Sequence, residues 1–169
     1  RYTLNQLSIA KQQQHKLPVW PVVMPEKKLT LGATIKADIQ PANGRFNIND
    51  FAQPVSQYLV FFQQLIQAVD PDVDAKHAQT ISKNVQQWLL PLTSGTTDNP
   101  AYGRMSPPYQ VAHRQMSSIS ELRLVDGISG DLYQKLLPYV IALPNTNLKI
   151  NLNNAQRPLF LALLGLDDG

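Results

Sequence analysis

Three histidines and a serine–glutamate cluster are the residues of this chain that could do chemistry, and cysteine is absent altogether. A histidine works as a general base or a metal ligand only when a second suitable side chain is held within reach. His15, His77 and His113 have no second His and no Cys at ligand spacing, and each lies among polar neighbours, the pattern of surface histidines. Ser118 and Ser120 stand beside Glu121, yet no Gly-x-Ser-x-Gly elbow surrounds either hydroxyl. Ser118-Ile119-Ser120-Glu121 fits a capping box instead, hydroxyl and carboxylate each satisfying a free amide at a helix start. Without Cys there are no disulfides, thiolate metal sites or thiol nucleophiles, and the redox compartment stays undetermined. The reactive residue types therefore point to a scaffold and away from a catalyst.

The elements that position these residues centre on Gly44-Arg45-Phe46-Asn47-Ile48-Asn49-Asp50, where an extended segment gives way to a helical region. Upstream, Leu29, Leu31, Ala33, Ile35, Ala37 and Ile39 alternate with polar residues or glycine, a period of two that predicts a half-buried strand. Pro41-Ala42-Asn43-Gly44 is expected to reverse the chain as a tight hairpin, with Phe46 and Ile48 on the return strand. Val55, Tyr58, Leu59, Phe62, Leu65, Ile66 and Val69 then recur at three and four, an amphipathic helix with Pro54 at its first position. Tyr58 and Phe62 belong to its core stripe, while Phe61 lies beside it and is expected at a partner surface. Pro71 breaks that helix, Asp72 is expected to cap the next, and Ala78, Ile81, Val85 and Trp88 form its stripe up to Pro91.

Leu92 to Ser117 shows no periodicity and carries Gly95, Pro100, Gly103, Pro107 and Pro108, a long functional or mobile loop. A short helix follows Ser118 and closes near Gly127, another spans about 131–141, and Leu148, Ile150 and Leu152 alternate as a short extended piece. Asn153 or Asn154 is expected to cap a last helix ending near Gly165. Residues 1–16, with Leu4, Leu7 and Ile9 among polar neighbours, suit the solvated end of a longer helix.

Composition sets the outer bounds. A chain of 169 residues with 43% hydrophobic content can bury one good core or two small ones, and 13 prolines imply extensive irregular connections. A net charge of +3 spread over scattered basic residues is a poor footprint for nucleic acid. No window approaches the ~18 to 20 consecutive apolar residues of a membrane span. Arg1 cannot open a reading frame, so a removed leader or an anchoring helix is expected upstream.

Five motifs in order resemble the K-type minor pseudopilins of bacterial type II secretion systems: Gly44-Arg45-Phe46-Asn47-Ile48-Asn49; Trp88; Pro107-Pro108-Tyr109; Ser120-Glu121-Leu122-Arg123-Leu124-Val125-Asp126-Gly127; and Ile150-Asn151-Leu152-Asn153-Asn154-Ala155. The resemblance covers most of residues 29–166. It implies an α+β fold in which a small antiparallel sheet, led by an N-terminal helix, carries a larger inserted all-α domain. On that plan residues 1–50 hold the helix end and hairpin, 51–166 the helical insert, and 167–169 a tail, the closing strands of the sheet lying outside this chain. It further implies a periplasmic, inner-membrane-anchored subunit that is not an enzyme, with I-type and J-type minor pseudopilins as partners at the pseudopilus tip. Leu4, Leu7 and Ile9 are the candidate partner contacts. Calcium is implied for the region between the Trp and the Pro-Pro-Tyr. Here that region offers Asp98 alone among carboxylates, so weak or no binding is expected, since calcium takes six to eight oxygens with several carboxylates.

The rival reading is a helix-hairpin-helix nucleic-acid-binding module, because Val125-Asp126-Gly127-Ile128-Ser129-Gly130 resembles its glycine turn. Asp126 and Asp131 flank that turn where a phosphate binder needs neutral donors and Lys or Arg, so nucleic acid is not an expected partner.

Overall fold

Apolar residues spaced at three and four bury one face each of two consecutive helices, and this pair organises the structure. The computed structural model describes residues 22–28, 32–36, 38–39, 41–53, 55–92, 99–144 and 149–165. Helix α1, Ser56–Val69, buries Phe61, Phe62, Leu65 and Ile66. Helix α2, Ala75–Leu89, buries Ala78, Ile81, Val85, Trp88 and Leu89 on one stripe and packs against α1. Asp70 ends α1, its amide donating to the Ile66 carbonyl at 2.8 Å, before the turn at Pro71.

The cap of α2 is Asp74 and not Asp72, its carboxylate accepting from the His77 amide at 2.9 Å. Both aspartates precede the stripe, and only the one three residues ahead of a free helical amide reaches it. Asp74→Ala is expected to cost about 1 kcal/mol and Asp72→Ala close to nothing. Urea denaturation of the two variants checks this, and equal losses would put the cap elsewhere.

The chain forms two compact units, one ending at Ala42 and the other starting at Asn43. In the first, β1 (Val22–Val23) pairs antiparallel with β4 (Asp38–Ile39), and β2 (Lys27–Lys28) with β3 (Thr34–Ile35). The single strand expected over 29–39 is therefore two strand segments that pair back onto residues 22–28. Gly32, with φ +81, sits at the reversal, where a side chain would be strained. The ladder is interrupted between the pairs Val23↔Asp38 and Lys27↔Ile35, around Pro25, which has no amide to give to it.

In the second unit, β5 (Phe46–Asn47) pairs parallel with β6 (Val140–Ile141). The Asn-Gly hairpin is thus corrected: Ala42–Gly44 is a 3₁₀ turn, and Phe46 and Ile48 lead into the helical core, at 3% and 0% exposure. Their apolar side chains gain more from the α1–α2 core than a solvated hairpin offers, at ~1.5 to 3 kcal/mol per fully buried large side chain. Phe61 is likewise buried, at 8%, its ring centroid 4.8 Å from that of Phe46, so it serves the core and not a partner.

The capping box forms as expected at Ser118 and Glu121, ahead of a 3₁₀ helix, Ile119–Leu124. Helix α3 covers Gly130–Leu136, shorter than expected because the chain enters β6 at Val140. Of the expected extended piece, Leu148 lies outside the described residues and Leu152 opens a turn at 152–154. Helix α4, Arg157–Leu164, starts after Gln156 with Pro158 in its first turn, and Gly165 closes it with φ 64. Helices with short strand pairs make this an α+β fold. Among the described residues no helix is long and apolar enough to cross a membrane.

Candidate functional site

The five sequence motifs meet inside the second unit as its joints. Asn47 and Asn49 bracket Ile48 and both are fully buried. Asn49 Nδ2 donates to the carbonyls of Met116 and Leu143, each at 3.0 Å, and its Oδ1 accepts from the Met116 amide at 2.8 Å. Asn47 Oδ1 accepts from the Leu143 amide at 2.9 Å, while its Nδ2 faces the Leu143 carbonyl at 3.4 Å. Each position needs a donor and an acceptor on one short side chain, which a carboxamide supplies and a carboxylate does not.

Gly44 and the motif around Asn151 form the second joint. The Asn151 amide donates to the Asn43 carbonyl at 2.7 Å, and Asn154 Nδ2 donates to Asn43 Oδ1 at 2.9 Å. A Cβ on Gly44 would stand 2.3 Å from the Asn154 carbonyl oxygen, so glycine is required here by space. The third joint is aromatic. Trp88, Tyr102 and Tyr109 stack around one another with centroids 5.6 to 6.3 Å apart, Tyr109 carried by the Pro-Pro-Tyr that follows a cis Ser106–Pro107 bond. The Tyr109 hydroxyl donates to the Leu124 carbonyl at 2.8 Å. The Asp126 amide donates to the Tyr102 hydroxyl at 3.1 Å, and burial pushes that phenol above its ordinary pKa, with the Asp126 carboxylate adding to the shift.

The reactive residues are spent on structure. Glu121 Oε1 accepts from the Ser117 amide at 2.7 Å and its Oε2 meets Arg114 at 3.2 Å, while Ser118 and Ser120 share a hydroxyl contact of 2.8 Å. His113 Nδ1 lies 2.8 Å from the Leu90 carbonyl, and His77 is exposed. Lys135 bridges Asp70 at 3.1 Å and Asp131 at 3.0 Å, and these two bonds, the Asp131 one foremost, raise its pKa.

The glycine turn after Val125 does not present its amides outward. The Asp126 amide goes to Tyr102, the Ile128 amide to the Val125 carbonyl at 3.1 Å, and a Cβ on Gly127 would meet Ile81 Cγ1 of α2 at 2.8 Å. A turn packed against α2, with its Asp126 and Ile128 amides already paired and Asp126 and Asp131 beside it, is a poor seat for a phosphate, so the nucleic-acid reading lacks support.

Calcium fits poorly around this turn. Asp126 Oδ2 is approached by two amide donors, Asn99 Nδ2 at 3.1 Å and Asn84 Nδ2 at 3.4 Å, where a cation needs acceptors. Among the described residues no three ligating side chains gather into a metal site. Asp98, His15 and the candidate contacts Leu4, Leu7 and Ile9 lie outside the described residues.

The family model of the type II secretion system (T2SS), protein K, matches residues 44–145, the stretch that holds the first and third joints and Gly44 of the second. The chain belongs to the type II secretion system protein K family. The K-type resemblance of its motifs is thereby shown. It is 35% identical over 135 residues to type II secretion system protein K of Pectobacterium carotovorum subsp. carotovorum, covering 72% of this chain and 40% of that one. With the protein of the same name from Pseudomonas aeruginosa it shares 27% identity over 162 residues, 92% of this chain and 47% of that one. The chain therefore spans less than half the length of these curated relatives. Its fold superposes with a TM-score of 0.74 and 26% identity on GspK in the crystal structure of the GspK-GspI-GspJ complex of the enterotoxigenic Escherichia coli type 2 secretion system. That match covers 95% of this chain and 61% of the other.

One feature of the K-family unit went unread in the sequence. An apolar groove of about 470 Å³ runs between α1 and α4, lined by Phe46, Tyr58, Val60, Phe61, Ile150 and Leu163 among others. The available signal was α4 itself, Arg157-Pro158-Leu159-Phe160-Leu161-Ala162-Leu163-Leu164, which has no polar stripe.

Proposed function

We propose that this chain is the periplasmic part of a minor pseudopilin that initiates or caps the pseudopilus tip of a type II secretion system by assembling with I-type and J-type minor pseudopilins. The observation that carries this reading is the superposition on GspK from a GspK-GspI-GspJ complex. The role is assembly without catalysis. The serines and Glu121 are engaged in a helix cap, and the family motifs are packing joints.

The mechanism follows from a division of labour. The first compact unit, ending at Ala42, carries the strand pairs, and the second, from Asn43, forms the helical head. The N-terminal helix, continuing into an inner-membrane anchor, packs laterally against partner helices through Leu4, Leu7 and Ile9. A bulky head that offers no site for a further subunit ends the filament, since a heterologous contact propagates only when both ends are free. The rigid joints around Asn49 and Gly44 suit such a head.

A double substitution, Leu4→Asp with Leu7→Asp, tests the seam. Co-purification with the I-type and J-type partners should be lost while circular dichroism and melting stay near wild type, because charge is forbidden only in the bound, desolvated state. A complex that survives this change but is lost on altering the insert would place the interface elsewhere.

A further inference from the structure

Asp126 holds three segments of the second unit at one point. Its Oδ2 accepts from Asn99 Nδ2 in the long loop at 3.1 Å and from Asn84 Nδ2 of α2 at 3.4 Å, and its amide donates to the Tyr102 hydroxyl at 3.1 Å. Backbone groups fix which end of each carboxamide faces the carboxylate. Asn99 Oδ1 accepts from the Ala101 amide at 3.0 Å, and Asn84 Nδ2 also donates to the Asp126 carbonyl at 3.0 Å. A backbone amide cannot accept and a backbone carbonyl cannot donate, so neither carboxamide can turn its oxygen toward Asp126 without losing a partner. Asn84 is buried, which makes that loss costly.

We propose that Asn84, Asp126 and Asn99 form a metal-free clasp that holds the long loop where the K-type pattern implies calcium. A calcium ion takes six to eight oxygens, several of them from carboxylates. From Leu92 to Ser117 the sequence has Asp98 as its single carboxylate. Asp126, the carboxylate that Asn99 reaches, meets the loop through an N–H group, and a second N–H from α2 converges on the same oxygen. A cation on that oxygen would face the positive ends of two amides. The amides themselves satisfy the carboxylate, because hydrogen bonds to an ionised acceptor are stronger than neutral ones. Beside the clasp, Trp88, Tyr102 and Tyr109 pack the loop against α2. The loop is therefore fastened by hydrogen bonds and aromatic packing in calcium and in its absence alike. This inference rests on family membership and is independent of the tip reading.

Limited trypsin digestion at Arg104, which is exposed in the loop, reads the clasp locally. In the 169-residue chain, cleavage there should run at the same rate in EDTA and in calcium, with one thermal midpoint in both buffers. A calcium site with a dissociation constant of about 10 μM would instead raise the midpoint by roughly 5–10 °C at ~1 mM calcium. Asn99→Asp tests the clasp itself. It keeps the size of the side chain and the acceptor toward the Ala101 amide, but it removes the donor and sets a second carboxylate against Asp126. Cleavage at Arg104 in EDTA should then be about tenfold faster with circular dichroism unchanged, the loss of one hydrogen bond to a charged group. Two results would overturn the proposal: calcium that slows cleavage or raises the midpoint of the unsubstituted chain, or an Asn99→Asp chain that is cut in EDTA at the unsubstituted rate.

Discussion

Gly44→Ala is expected to destabilise the second unit by roughly 3 kcal/mol, a large effect for a single added methyl group. The new Cβ would lie 2.3 Å from the carbonyl oxygen and 2.8 Å from the carbonyl carbon of Asn154, so backbone and not a flexible side chain must move. Moving it strains the bond from the Asn151 amide to the Asn43 carbonyl and the bond from Asn154 Nδ2 to Asn43 Oδ1, each worth about 1 kcal/mol net. Gly103→Ala is the control, because nothing lies within 4 Å of a Cβ there and an effect within about 0.5 kcal/mol is expected. Guanidinium denaturation of both variants, with hydrogen exchange at the Asn151 amide, reads the difference. Equal stabilities would show that the close approach does not exist in solution.

Asn49→Leu is expected to cost more, about 3 to 5 kcal/mol, although it fills a similar volume with an apolar side chain. The loss comes from the partners left behind. The Met116 amide and carbonyl would have no side-chain partner at this joint, and the Leu143 carbonyl would keep only the longer contact with Asn47. Asn49→Asp separates hydrogen bonding from volume. A carboxylate facing two carbonyl oxygens is repelled, so its folded pKa should rise above the unfolded value. The stability regained on protonation is then present below the unfolded pKa and lost as pH rises through the folded one. The Asp variant should therefore be closer to wild type in acid than at neutral pH, and the Leu variant should show no such recovery. A pH-independent Asp variant would mean that residue 49 does not face those carbonyls.

Both residues stand in the first motif of the family, and this explains what a motif without chemistry is for. Gly44, Asn47 and Asn49 tie the start of the helical unit to Asn154, Met116 and Leu143, segments far along the chain. Such ties hold the second unit in one form.

The sequence by itself determined what depends on near neighbours. The stripes of α1 and α2, the capping box at Ser118 and Glu121, and the closure of α4 at Gly165 were legible because helical spacing, cap geometry and left-handed glycine are set within a few residues. The ordered motifs likewise carried the family, because their types and spacing survive without coordinates. Tertiary structure alone decided the fates of Phe46 and Phe61. Alternation made Phe46 look like a return strand, yet it pairs with Val140 and packs on Phe61, both chosen by a core assembled from distant segments. The same holds for Asn49, whose partners lie 67 and 94 residues away. Local pattern states which residues want burial or a hydrogen bond. Where they find it depends on which distant segments close onto them, and that is set by the packing of the whole unit.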